Sequence, residues 1–184
     1  MAYSPFVPLR VFSSYTMLEG AIEPKAIAKA ARDRGFPAIA ICDRNGLYGA
    51  MAFGDACKAA GVQPVVGALL SIARPGQRMA NGAPLIDWLA LYAQDETGYG
   101  NLCALVSAAH LGRPVEQDPH VTLSDLTGKT DGLICLTGGG EGALARLLAG
   151  EQVTAANDYV EQLEALFAGR LYIELARRND ATEM

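Results

Sequence analysis

The run Ala38-Ile39-Ala40-Ile41-Cys42 is apolar at five consecutive positions and stops at Asp43. A strand with no polar face must be covered on both sides, which points to a parallel sheet flanked by helices. The segments around it fit that requirement. Residues 24–34 form a predicted helix, with Pro24 at its first position and Gly35 just past its end. Residues 47–60 form a second, closed by Gly61, and residues 62–72 read as the next strand, with Pro64 near its start. A short strand is expected ahead of all these, at 6–11.

The same alternation continues. Residues 74–84 hold Pro75, Gly76, Asn81, Gly82 and Pro84, which makes them a loop or a hairpin connection. Strands are expected at 86–93, 133–137 and 171–175, and helices at 97–111, 141–149 and 153–167. The last of these helices is the clearest: Val153, Ala156, Val160, Leu163 and Phe167 share one face. Residues 113–120, with Pro114 and Pro119, read as irregular. The expected class is therefore α/β, with a parallel sheet that is open or closed into a barrel. Residues 177–184 follow the last strand without a closing element, as a truncation within a larger protein or a tail would.

With 184 residues there is material for about one domain and a substantial core. The net charge of -5 argues against a nucleic-acid grip, which needs clustered Lys and Arg. Cys42, Cys57, Cys103 and Cys135 are far apart and form no C-x-x-C pair, so free thiols in a reduced core are expected. Neither a signal peptide nor a membrane-spanning apolar run is visible, and a cytoplasmic location is expected.

Three blocks carry a family resemblance. Residues 6–21, FVPLRVFSSYTMLEGA, resemble the opening of bacterial DNA polymerase III alpha subunits, where histidines follow a strand ahead of Ser-x-Tyr-Ser and an acidic residue with Gly-Ala. Residues 35–49 resemble that family's Gly-x-Pro-Ala strand ending in Thr-Asp-His, and residues 96–102 resemble its Thr-Gly-Tyr-x-Asn-Leu run. Residues 61–67 and 131–139 add to the match. The resemblance implies a PHP (polymerase and histidinol phosphatase) domain over residues 1–184. That fold is a distorted (β/α) barrel, of which this chain would hold the N-terminal portion, roughly two thirds.

Active members of that family hold a metal cluster for phosphoester hydrolysis, in which metals acidify a bound water and clamp phosphate oxygens. Carried over residue by residue, the ligands are mostly missing. Arg10 and Phe12 stand where the paired histidines belong, and Pro8 stands at a further histidine position. Asp43 remains of an Asp-His pair whose second member is Arg44. Leu69 replaces an acidic residue, Trp88 a histidine and Gly139 a cysteine. The resemblance thus implies no catalytic residue and no metal in this segment, with former ligand positions at Arg10, Phe12, Asp43, Arg44, Leu69 and Trp88.

An ion network of Arg10, Glu19, Asp43 and Arg44 is the expected replacement, with Arg10 gripping Asp43. His110 and His120 align with neither site, and surface or local structural roles are expected. Ser13, Ser14 and Thr16 have no neighbouring histidine, so no nucleophile is expected among them. Gly138-Gly139-Gly140-Glu141-Gly142 reads as a tight strand-to-helix turn rather than an anion cradle.

Functionally, the resemblance implies the N-terminal domain of a replicative DNA-directed DNA polymerase. This segment would act in structure and partner binding, and whether it is an enzyme by itself stays open. Expected partners are the other polymerase III core subunits, notably the proofreading exonuclease, and DNA through the rest of the parent chain, with no membrane. Magnesium is expected only in the parent's polymerase domain. The alternatives are an active metal-dependent phosphoesterase or exonuclease, and the corresponding domain of the error-prone alpha-subunit homologue.

Overall fold

A computed structural model describes residues 6–176; the tail at 177–184 lies outside the described residues. Five strands, β1 (Ala38–Arg44), β2 (Gln63–Arg78), β3 (Pro84–Ala93), β4 (Leu133–Leu136) and β5 (Leu171–Tyr172), form one sheet in sequence order. Among the described residues six helices flank it: α1 (Pro24–Asp33), α2 (Ala50–Ala60), α3 (Glu96–Leu111), α4 (Leu123–Leu126), α5 (Ala143–Ala149) and α6 (Val153–Leu166).

The sheet is mixed, not all-parallel as the sequence suggested. β1 pairs with β2 and β4 with β5 in parallel, whereas β3 is antiparallel to both its neighbours. The reason is local: β2 and β3 are joined by only the five residues 79–83, too few for a parallel crossover. Gly82 adopts φ 82° inside that turn, a conformation open to glycine. The proline- and glycine-rich stretch is thus a hairpin whose first arm runs on to Arg78.

Other boundaries shift for identifiable reasons. Residues 6–11 are not a strand; they lie along β1 through only two backbone bonds, Ala40 N–H to Pro8 O and Cys42 N–H to Val11 O. α2 begins at Ala50, three residues later than expected, and ends where Gly61 turns left-handed at φ 70°. α4 is an additional turn of helix. Its signal is the capping box Thr122-x-x-Asp125, in which Thr122 accepts from Asp125 N–H and the Asp125 carboxylate accepts from Thr122 N–H. On α6 the buried face is centred on Ala156, Tyr159 and Leu163, while Val153 is exposed.

Strand alternation divides the side chains between two environments. Ile39 and Ile41 of β1 face α1 and α2, where Ile27, Ala31, Phe53 and Cys57 complete a cluster. Leu70, Ile72, Leu89, Leu91, Leu133 and Cys135 face α3, α5 and α6 in the largest cluster. The alternate positions Ala40, Cys42, Leu69, Ala90, Tyr92 and Leu136 meet on the inner face, joined by Phe12 and Trp88. One contiguous cluster drawing on four strands means that the sheet curls around it. Arg10, beside β1, reaches Glu174, just past β5, at 3.0 Å, and so ties the two edges of the sheet together. The four cysteines are free thiols; burial pushes Cys57 up to about 11 and Cys42 up to about 12, which leaves both inert. Among the described residues no helix is long and apolar enough to cross a membrane.

Candidate functional site: an ion-paired barrel mouth

Because β3 alone is reversed, the C-terminal ends of β1, β2, β4 and β5 open on one rim. This is the rim on which parallel α/β barrels build their sites. Ala40, Cys42 and Arg44 share one face of β1, so Arg44 points inward and Asp43 points away from it.

Asp43 is buried, and three donors converge on it. Ser13 N–H and Thr16 Oγ1–H donate to Oδ1, and Ser13 Oγ–H donates to Oδ2, each at 2.7 Å. The expected Arg10–Asp43 grip is therefore not made. The bend at 13–16 carries its own donors to the carboxylate before any guanidinium reaches it, and Arg10 lies on the inner side with Arg44. Ser13 and Thr16 serve here as carboxylate donors.

The inner side holds a chain of alternating charges. Arg44 makes a two-pronged contact with Glu19, Nε to Oε1 and Nη2 to Oε2, both at 2.8 Å. Its Nη2 also reaches Glu141 Oε1 at 2.7 Å. The other oxygen of Glu141 accepts from Arg10 Nη2 at 3.0 Å, and Arg10 Nη1 reaches Glu174 Oε2. The order is Glu19, Arg44, Glu141, Arg10, Glu174. The hydrogen bond from Arg44 holds the Glu19 carboxyl below its ordinary range.

Below the charges lies an aromatic floor. The Arg44 guanidinium carbon stands 4.4 Å from the Trp88 ring centroid and 5.2 Å from that of Phe12, and Arg10 stands 5.8 Å from Phe12. These are cation–π distances. Among the described residues Arg44 Nη1 finds no hydrogen-bond acceptor, and its guanidinium rests on the two rings. Leu69 is fully buried deeper in the same inner cluster.

Glu141 and Glu174 are the members of this network that the sequence reading did not place. Glu141 sits in a 3-10 turn (Gly139–Glu141) inside the five-residue glycine-rich stretch, where a carboxylate opposes any anion cradle. Gly138 takes φ 81°, and a Cβ there would stand 2.0 Å from the Trp88 carbonyl oxygen. That close approach swings Glu141 over the mouth. Glu174 lies 164 residues from Arg10, beyond any local pattern.

The two histidines lie elsewhere. His110 Nε2–H donates to the Asn45 carbonyl at 2.7 Å, bracing the left-handed residue that follows β1. His120 is buried and takes a local structural role, its Nδ1–H donating to the Asp118 carbonyl at 2.8 Å.

These residues do not fit a metal cluster. Guanidiniums offer no lone pairs, Phe12, Leu69 and Trp88 bring no ligand atom, and Glu19, Glu141 and Glu174 are already engaged by arginine. Among the described residues no group of three or more His, Cys, Asp or Glu side chains is placed to hold an ion.

The fold and its rim define a distorted α/β barrel. An amidohydrolase from Chromobacterium violaceum, solved with bound sulfate and no metal, superposes with a TM-score of 0.50 over 93% of this chain and 86% of that one, at 11% identity. The PHP domain model matches residues 8–178, and the chain belongs to that family. DNA polymerase III subunit alpha of Caulobacter vibrioides is 36% identical over 177 residues, 94% of this chain and 15% of that protein. The error-prone DNA polymerase of Symbiobacterium thermophilum is 32% identical over 185 residues, 92% of this chain and 16% of that protein. The chain thus spans about one sixth of the length of these relatives.

Proposed function

We propose that residues 1–184 are the N-terminal PHP domain of a replicative DNA polymerase III alpha subunit, acting as a non-catalytic structural and partner-binding domain. The observation that carries the non-catalytic reading is the mouth itself. Two guanidiniums, three carboxylates and an aromatic floor occupy the rim where an active relative would hold its metals. On this reading Arg10, Phe12, Asp43, Arg44, Leu69 and Trp88 are former ligand positions, and arginine charge replaces metal charge.

The polymerase reading rests on the match to alpha subunits along nearly the whole chain. The parent would take DNA and magnesium through domains beyond this segment, work in the cytoplasm, and contact the other core subunits, the proofreading exonuclease among them. The error-prone branch shares this domain, so it stands as the second reading.

The test has two arms. Manganese-supplemented hydrolysis of a model phosphodiester by the purified chain should stay at background. Turnover that disappears in Arg10→Ala or Asp43→Ala would overturn the non-catalytic reading. Expressing the coding region together with its downstream sequence should give primer extension sensitive to magnesium removal, and a product without it would overturn the polymerase reading.

A further inference from the structure

A basic groove lies on the outer surface, on the far side of β1 from the ion-paired mouth. It runs between α1 and α2, has a volume of about 620 Å³, and is floored by Ala52, Ala56, Ala59 and Ala60. Lys25, Lys29 and Arg32 stand along the α1 side, with Asp55 as a lining carboxylate. Lys29 and Arg32 are ion-paired to Asp33 and remain exposed, at 69% and 56%.

The charge here runs against the rest of the chain. On the two helices and their caps, Lys25, Lys29, Arg32, Arg34 and Lys58 outnumber Glu23, Asp33 and Asp55. The whole chain has 15 Lys and Arg against 20 Asp and Glu. A basic groove on an acidic molecule selects acidic ligands by charge complementarity.

A second observation lies at the N-terminal end of the same helices. Met17, Leu18 and Met51 are exposed at 82%, 105% and 80%, and Tyr15 and Tyr48 are also exposed, with ring centroids 6.4 Å apart. Leu18 holds φ 71°, an uncommon conformation for a leucine, at the tip of the bend that Asp43 anchors. Met51 directly precedes Ala52 of the groove, and the bend runs through Ile22 into Pro24 of α1. An apolar, methionine-bearing surface therefore adjoins the head of a basic, alanine-floored groove. Methionine-rich surfaces adapt to varied apolar anchors, and alanine floors admit a backbone or helix closely.

We propose that the α1/α2 groove and the Met17–Leu18–Met51 surface form one docking site for an acidic, amphipathic peptide segment of a partner protein. Its carboxylates meet Lys25, Lys29 and Arg32, and an apolar anchor sits on Met51 and the neighbouring tyrosines. This site rests on the partner-binding reading above, but not on the non-catalytic one: peptide binding can fail while the mouth stays inactive, and the hydrolysis assay separates the two failures.

The test is selection of a random peptide library on the full chain, followed by fluorescence anisotropy with the enriched peptides. Enriched sequences should be net acidic with spaced apolar residues, and should lose affinity about tenfold on Lys25→Glu/Arg32→Glu. Ala59→Trp, which fills the groove from an exposed position, should abolish binding. Both variants should melt with the parent chain, which separates docking from folding. No enrichment, enrichment of neutral or basic peptides, or affinity unchanged in both variants would overturn the proposal. So would a single-stranded oligonucleotide that binds this face more tightly than any peptide, since the groove would then be a phosphate site.

Discussion

Asp43 gives the sharpest test of how the mouth is held. Asp43→Ala removes the acceptor for Ser13 N–H, Ser13 Oγ–H and Thr16 Oγ1–H, all buried. A buried donor left without a partner costs about 1–3 kcal/mol. The two hydroxyls can rotate toward other acceptors, but the Ser13 N–H cannot, so the expected loss is about 3–5 kcal/mol. That is a large fraction of the roughly 5–15 kcal/mol that stabilises a typical domain. Asp43→Asn keeps an oxygen for the two bonds on Oδ1 but turns an amide N–H toward Ser13 Oγ, whose hydroxyl must then find another acceptor, so about 1–3 kcal/mol is lost. Urea unfolding followed by the fluorescence of Trp88, the single tryptophan, measures both. Double-mutant cycles locate the partner. Asp43 and Thr16 should couple by about 1–2 kcal/mol, whereas Asp43 and Arg10 should be additive within about 0.5 kcal/mol. Strong Asp43–Arg10 coupling with none to Thr16, or an alanine variant that unfolds at the wild-type midpoint, would refute the arrangement.

Other perturbations reach different parts of the same rim. Phe12→His should destabilise by about 1–3 kcal/mol by replacing the apolar phenyl face under Arg44 and Arg10 with a smaller polar imidazole, and should bring no hydrolytic activity. Arg44 holds the Glu19 carboxyl below its ordinary value of 4.5. A lowered folded value contributes stability that is fully present above pH 4.5 and is lost as pH falls below it toward the folded value; Glu19→Gln should flatten that acid limb of a Tm-versus-pH curve. Elemental analysis of the dialysed chain should find less than one equivalent of zinc, manganese or iron, and two or more tightly held metals would contradict the arginine-filled mouth. Duplex DNA should bind weakly at physiological salt, and submicromolar affinity would contradict the charge balance.

Elements with a local cause were legible in the sequence. α1 and α3 lie within a residue of their expected bounds; Pro24 and Gly35 mark α1 chemically, and on α3 the structure adds a cap in which the Asp95 carboxylate accepts from Gly98 N–H. The reversal of β3 was half legible: the glycines and prolines of residues 74–84 left a loop and a hairpin both open, and only the pairing decides for the hairpin. At the mouth, the neighbours Asp43 and Arg44 point apart, as strand alternation requires. Their partners could not be read off, because Ser13 and Thr16 reach Asp43 across 30 and 27 residues, and Glu141 and Glu174 reach Arg10 across 131 and 164. Partners at such separations are set by barrel closure, and a single sequence carries no signal of it.

The sharing of Glu141 between two arginines also constrains descent. Replacing Arg10 alone leaves Glu174 and half of Glu141 facing each other without a cation; replacing Arg44 alone does the same for Glu19. Like charges brought together in a half-buried site repel before any metal ligand has been gained. A lineage carrying this mouth therefore faces a valley on any path toward a metal centre that begins at Arg10 or Arg44. Drift among the five charged residues should proceed in compensated pairs, leaving correlated substitution as its historical trace.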